Sequence, residues 1–398
     1  MQVDDQGIVA HSLPGTDAQS CAFPGVCLLP SGRWLVSYRA APTKAGMQGQ
    51  HPRVCWSDDE GATWSEPIRP FSPIRWGDVP GSFRTAHVTT LADGDLLAAL
   101  CWVDDTDPYK PFFNEETEGL LDARICLSRS TDEGESWSTA EFVETGALNV
   151  PVPLTGPILH LGGQADRQRL AIQLETNKPY LDPQPWHHRS MLLHSSDSGR
   201  SWAEHVVTSD DPHRQIFYWD QRPAVLGEAE LLNLFWTFDR VNGEYLNIHA
   251  RRSENNGSDW SPLWDTGVPG QPAPAVRLAD GQLVMVYVDR TTSPKIKLRT
   301  STDNGLQWPL ETELTLFAQE TSKNLTQPGD MQTAWNEMYD YALGLPTTTL
   351  LPDDDVLVVF YAGASGDATG IQWLRLRSES AVGDVGSLSE RRIKYPSD

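Results

Sequence analysis

Six times along the chain, two apolar runs of strand length flank a tight turn. The segments are VCLLPSGRWLVSY (26–38), TTLADGDLLAALCW (89–102), PILHLGGQADRQRLAIQLE (157–175), PAVLGEAELLNLFWTF (223–238), PAVRLADGQLVMVYV (274–288) and TTTLLPDDDVLVVFY (347–361). Within each run, apolar positions either alternate with polar ones or continue unbroken, as in strands buried on one face or on both. Gly and Asp between the runs tolerate the left-handed backbone of a tight turn, so each segment predicts a β-hairpin. Helical spacing stands out in one place. Met331, Trp335, Met338 and Ala342 of DMQTAWNEMYDYAL predict a short helix within the insert 310–347.

A second signal follows each of the first five hairpins. It reads SDDEGATW (57–64), STDEGESW (130–137), SSDSGRSW (195–202), SENNGSDW (253–260) and STDNGLQW (301–308). The chemistry of such an octamer is local. Its Asp accepts backbone N–H groups across the turn, its Gly permits positive φ, and its Trp packs on the strands below. These residues fold the chain and do no chemistry. The fourth copy has Asn255 in place of the Asp, with Asp259 in the hydroxyl position, and the fifth has Gln307 there. Looser turns are expected in both. The sixth hairpin leads to IQWLRLRS (371–378) without an octamer.

At these octamers the chain resembles the Asp-box, or bacterial neuraminidase repeat, pattern of the sialidase superfamily. Together with the hairpins, this implies an all-β, six-bladed β-propeller with four antiparallel strands per blade and the Asp boxes in the third-to-fourth strand turns. One domain spans 1–398, with blades near 26–65, 87–140, 155–205, 222–262, 273–312 and 346–398. The last blade needs a closing strand, expected from about residues 7–13 or from 388–395.

Strand alternation then sorts the loops. The tight hairpin turns and the octamers fall on one face, and every long, chemically mixed loop falls on the other, where function concentrates. On that face the second strands end in Tyr38-Arg39, Asp104-Asp105, Glu175, Asp239-Arg240 and Asp289-Arg290. Arg84 and His87 of FRTAHV enter from a blade connection, as do Asp220 and Arg222 of YWDQRPAV, and Glu337, Tyr339 and Tyr341 precede the last blade. The loops 104–119 and 175–189, the latter with His187 and His188, add aromatic residues. These predict an aromatic-walled pocket holding carboxylates and guanidiniums, suited to sugar rings and glycosidic chemistry. Asp104, Glu175, Asp220, Asp239 and Tyr341 are the catalytic candidates. Arg39, Arg84, His87, Arg222, Arg240, Arg290 and Glu337 are the substrate-binding candidates.

The resemblance implies particular residues, and the chain keeps some of them. Arg240 and Arg290 stand at second-strand ends where sialidase-like arginines occur, and Tyr341 stands where the nucleophile would. The opening arginine motif is replaced by AFPG (22–25), the loop RAAPTKAGMQGQHPR (39–53) has no acid/base carboxylate, and QRPAV (221–225) has Gln221 and Arg222 where a Glu is expected. The catalytic signature is therefore not intact. The expected function is a sialidase-like, exo-acting glycoside hydrolase. The alternatives are a true exo-α-sialidase using Tyr341, or a non-catalytic propeller that binds a glycan or protein.

Composition narrows the partners. Among 398 residues, 31 glycines and 29 prolines are spread along the chain, as many short strands require, and 15 tryptophans are available for packing. A formal charge of −23 repels phosphate backbones and anionic lipid, so a carbohydrate partner is expected, and neither nucleic acid nor membrane. MQVDDQGIVAHSLPG has neither the basic start nor the apolar core of a secretory signal, and no apolar run approaches the length of a membrane span. Cys21, Cys27, Cys55, Cys101 and Cys126 show no metal-site spacing and read as small buried thiols. These features predict a cytoplasmic protein without cofactor or metal.

Overall fold

The computed structural model describes residues 1–146, 148–164, 167–319 and 329–378. The chain is all-β and propeller-like, with each of the six hairpins present as paired antiparallel strands. Four sheets stand separately. One joins Glu141–Phe142, Ala123–Ser130, Leu96–Asp104, Val79–Thr90 and Arg75–Trp76; another joins Leu159–Gln164, Arg167–Thr176, Arg189–Ser195 and Glu204–Asp210. The third is built on Ile216–Gly227 and Glu230–Asp239, and the fourth on Leu283–Asp289 and Lys295–Ser301.

The first and last hairpins do not form blades of their own. They share one seven-stranded sheet ordered Leu343–Leu350, Val356–Ser365, Ala368–Arg377, Ser20–Leu28, Trp34–Ala41 and His51–Ser57. The expectation of six separate four-stranded blades is thus corrected to four. The cause is the way the chain ends meet. Gln2–Ala10 runs antiparallel to Ala368–Arg377, and the next strand begins at Ser20, paired in parallel with Thr369, so the ladder continues across the junction. The closing strand therefore comes from the N-terminal segment, starting a few residues earlier than expected. Residues 388–395 lie outside the described residues.

Second strands such as WLVSYRAA and LVMVYVD are buried at every position, because neighbouring sheets cover both faces. This explains their unbroken apolar runs. The octamers link third strands to fourth ones and have a common hydrogen-bond pattern. In the second, Ser130 Oγ donates to Asp132 Oδ1 (2.8 Å) and accepts from Gly134 N (2.9 Å), while Asp132 Oδ1 accepts from Ser136 N (2.9 Å). The Trp137 indole donates to Gly134 O (2.9 Å).

The fourth and fifth turns keep the backbone bond that was expected to loosen. Asn255 Oδ1 accepts from Asp259 N (2.9 Å), and Asp303 Oδ1 from Gln307 N (2.9 Å). In the fourth, the Asn255 amide also donates to Asp259 Oδ2 (2.8 Å), replacing the hydroxyl–carboxylate contact.

The predicted helix spans Met331–Asp340, capped by Asp330, whose carboxylate accepts from Thr333 N at 2.7 Å. It ends before Ala342, because Tyr341 is already extended and Leu343 opens a strand. The helix buries Met331 and Ala334, and its Trp335 stacks on Phe113 with ring centroids 4.7 Å apart. Among the described residues, no helix is long and apolar enough to cross a membrane. All five cysteines are buried thiols.

Candidate active site

A cavity of about 210 Å³ opens among the starts of first strands, the ends of second strands and the inserted segments. None of the octamers or tight hairpin turns lines it. Bulges aim its residues. First-strand ladders skip between Ala22 and Gly25, Phe83 and Thr85, Trp219 and Arg222, and Gly344 and Thr347. Phe23, Asp220 and Leu345 sit in these bulges at φ of 53°, 54° and 46°. Such backbone costs about 1–3 kcal/mol per residue and turns a side chain out of the ladder, a device typical of binding sites.

Asp220 is the most constrained residue of the pocket. Its N–H donates to Glu175 Oε1, its Oδ1 lies 2.8 Å from Arg222 Nη2, and its Oδ2 accepts from Gln271 Nε2 at 2.5 Å. Burial pushes its carboxyl up and the Glu175 charge adds to this, outweighing Arg222 and Gln271. Glu175 ends the second strand of the preceding sheet. Its Oε2 lies 3.4 Å from His188 Nε2, which makes no hydrogen bond there. Trp186, Trp219, Trp236 and Trp335 supply aromatic wall.

Of the predicted residues, the fold brings Glu175, Asp220, Tyr341, Arg84, His87 and Arg222 into this one cavity. The rest stand elsewhere. Asp104 lines a second cavity, beside Asp122 and Arg124. Asp239 caps its own loop by accepting from Val241 N (2.8 Å) and Asn242 N (3.0 Å). Arg240 pairs with Glu118 at 2.9 Å. Arg39 is fully buried behind the pocket, bound to Gln50 and to the Lys44 and Gly46 carbonyls. Burial and the Arg84 charge push its guanidinium well down. Arg290 lies 3.9 Å over the Tyr341 ring and donates to Leu343 O and Gln271. Glu337 hydrogen-bonds Tyr341 from outside the lining. Each of these strand ends had the right residue type, and a side chain's aim depends on local bulges and loop caps that alternation does not report.

The sequence reading passed over Lys44, Gln271, Tyr245 and Tyr361. Buried Lys44 donates to Tyr341 O (2.6 Å) and to the Tyr361 hydroxyl (2.9 Å). Burial, then the charges of Arg290, Arg39 and Arg84, push its ammonium well below the ordinary range. The Tyr245 and Tyr341 hydroxyls lie 3.3 Å apart. Burial pushes the Tyr341 phenol up, against the pull of Arg290. A lysine in a loop full of small residues was a possible signal, since nothing else there carries charge except Arg39 and Arg53. Among the described residues, no group of three or more His, Cys, Asp or Glu is placed to hold a metal.

An all-β, propeller-like architecture with a bulge-built polar pocket thus defines the class. Residues 112–342, more than half of the chain, match the BNR repeat-like domain, and the chain belongs to that family. No curated protein sequence matches it. Among solved structures it is similar to a protein of unknown function from Dyadobacter fermentans, at 19% identity and TM-score 0.67, covering 94% of this chain and 100% of that one. The intramolecular trans-sialidase from Ruminococcus gnavus aligns at 12% identity and TM-score 0.62, over 94% and 97% of the two chains. The alpha-L-arabinanase of Penicillium chrysogenum, solved with arabinobiose, aligns at 14% identity and TM-score 0.61, over 94% and 98%. At these identities the likeness is one of fold.

Proposed function

We propose that the protein is an exo-acting, sialidase-like glycoside hydrolase with Glu175 and Asp220 as its working carboxyls. The observation that carries this reading is their meeting. Two acids from neighbouring sheets stand side by side in an aromatic-walled pocket, tied by the Asp220 N–H on Glu175 Oε1. Glu175 Oε2 takes no hydrogen bond from His188 and is the oxygen open for proton transfer to a leaving group. Asp220, with both oxygens held by Arg222 and Gln271, is the fixed partner that meets charge developing at the sugar ring. A cavity of about 210 Å³ suits a terminal ring better than the interior of a polymer. The test is a screen of aryl glycosides that includes sialosides, uronosides and rhamnosides. Turnover lost in Glu175→Gln is expected, and no turnover on any member rejects the reading.

A second reading, an exo-α-sialidase, is favoured by the contacts of Tyr341 with Tyr245, Glu337 and Arg290. It requires sialoside cleavage that disappears in Tyr341→Phe.

A further inference from the structure

Four polar side chains lining the pocket make no hydrogen bond to the protein: Thr85 through Oγ1, His87 through Nδ1, Thr155 through Oγ1 and Asn177 through Nδ2. Each residue is more than nine-tenths buried, at 8%, 7%, 7% and 5% exposure. Buried polar groups in native proteins are almost always hydrogen-bonded, so four open valences around one cavity mark places for a ligand's own donors and acceptors.

The cations of the pocket are in the opposite condition. Arg222 is spent on Asp220 and on the Thr155 and Gln221 carbonyls, and Lys44 on Tyr341 O and Tyr361. Behind the lining, Arg39 and Arg290 are bound to side-chain amides and backbone carbonyls. Among the described residues, Arg84 is the lining cation without an oxygen partner. It lies between the rings of Phe23 and Phe112, at 5.2 and 4.6 Å. One guanidinium therefore faces the two carboxylates Glu175 and Asp220, which disfavour a further anion beside them.

We propose that the pocket takes a neutral, hydroxyl-rich sugar ring read by Thr85, His87, Thr155 and Asn177, and not an acidic sugar clamped by arginines. This rests on the hydrolase reading above. Sugar hydroxyls donate and accept at once, which matches two threonine hydroxyls, an amide donor and an imidazole. Burial and the Arg222 charge push the His87 imidazole down to about 3, so it meets the ligand as a neutral donor and acceptor.

The experiment measures binding by calorimetry on the whole chain. The neutral probes are L-arabinose, L-rhamnose and D-galactose, and the acidic probes are D-glucuronate and N-acetylneuraminate. The variants are Thr85→Val and Thr155→Val, near-isosteric deletions of hydroxyls that hold nothing in the protein. A neutral sugar is expected to bind, about ten-fold more weakly in each variant, with Tm unchanged or raised. Preferential binding of an acidic probe overturns the proposal, as does binding of none or unchanged affinity in both variants. A marked fall in Tm also overturns it, because the hydroxyls would then be structural. Neutral sugar bound through these threonines without cleavage of any glycoside rejects the hydrolase reading alone. Cleavage with both variants unimpaired rejects this inference alone.

Discussion

In the turn 130–137, the Ser130 hydroxyl, both Asp132 oxygens and the Trp137 indole all find partners within eight residues of chain. In the pocket, Asp220 reaches its partners on three strands: Glu175 on one sheet, Arg222 on its own and Gln271 on a third. Thr85, His87, Thr155 and Asn177 nearby leave atoms unsatisfied. Both regions hold non-glycine residues at positive φ, such as Glu133 at 57° and Asp220 at 54°. The turns offset that strain locally with short hydrogen bonds. The pocket offsets it through contacts between sheets and leaves bonding capacity open. Stability is concentrated where every polar group is satisfied, and binding where some are not.

The sharpest way to break this comparison is Glu175→Gln. It is expected to cut kcat/KM on a responsive glycoside by about 100-fold or more, with Tm nearly unchanged. Retained turnover would remove Glu175 from the chemistry. Next in size is Gly61→Ala in the first turn. Gly61 has φ of 91°, and a Cβ there would lie 2.6 Å from Trp373 Cζ2. A loss of about 2–3 kcal/mol in denaturant unfolding is expected, with KM and kcat of the folded protein unchanged. Ser130→Ala should cost less, about 1–2 kcal/mol, by leaving the buried Gly134 N–H unbonded. Equal stability in that variant would mean the octamers are not where stability is concentrated.

The smallest expected effect depends on pH. Burial opposes ionisation of Asp197, but hydrogen bonds from Ser201, Ser195 and the turn backbone outweigh it and bring the carboxyl from its ordinary 3.8 to about 2. A carboxyl held below its unfolded value stabilises the fold above that value and loses the contribution as pH falls through the folded one. The Tm gap between wild type and Asp197→Ala should therefore be full above about pH 4 and close towards pH 2. A gap independent of pH would show that the carboxylate charge contributes nothing.

The hairpins, the octamer turns and the helix at 331–340 were legible in the amino-acid order because their causes are local. Period-two alternation, a glycine at a left-handed position and an acid three or four residues from the N–H it accepts all lie within one short window. The loop face and the pairing of Glu175 with Asp220, Arg222, Arg84 and His87 followed from strand order alone. Other features depended on distant segments. The merging of the first and last hairpins into one sheet needed Ser20 to meet Thr369 across the whole chain. Asp239 turned into its own loop, Asp104 went to a second cavity, and Lys44 came in from a loop to reach Tyr341 and Tyr361. Sequence order determined which strand ends could face the pocket. The bulges, and the contacts between sheets that hold them, decided which side chains do so, because a one-residue shift in register reverses a side chain's direction.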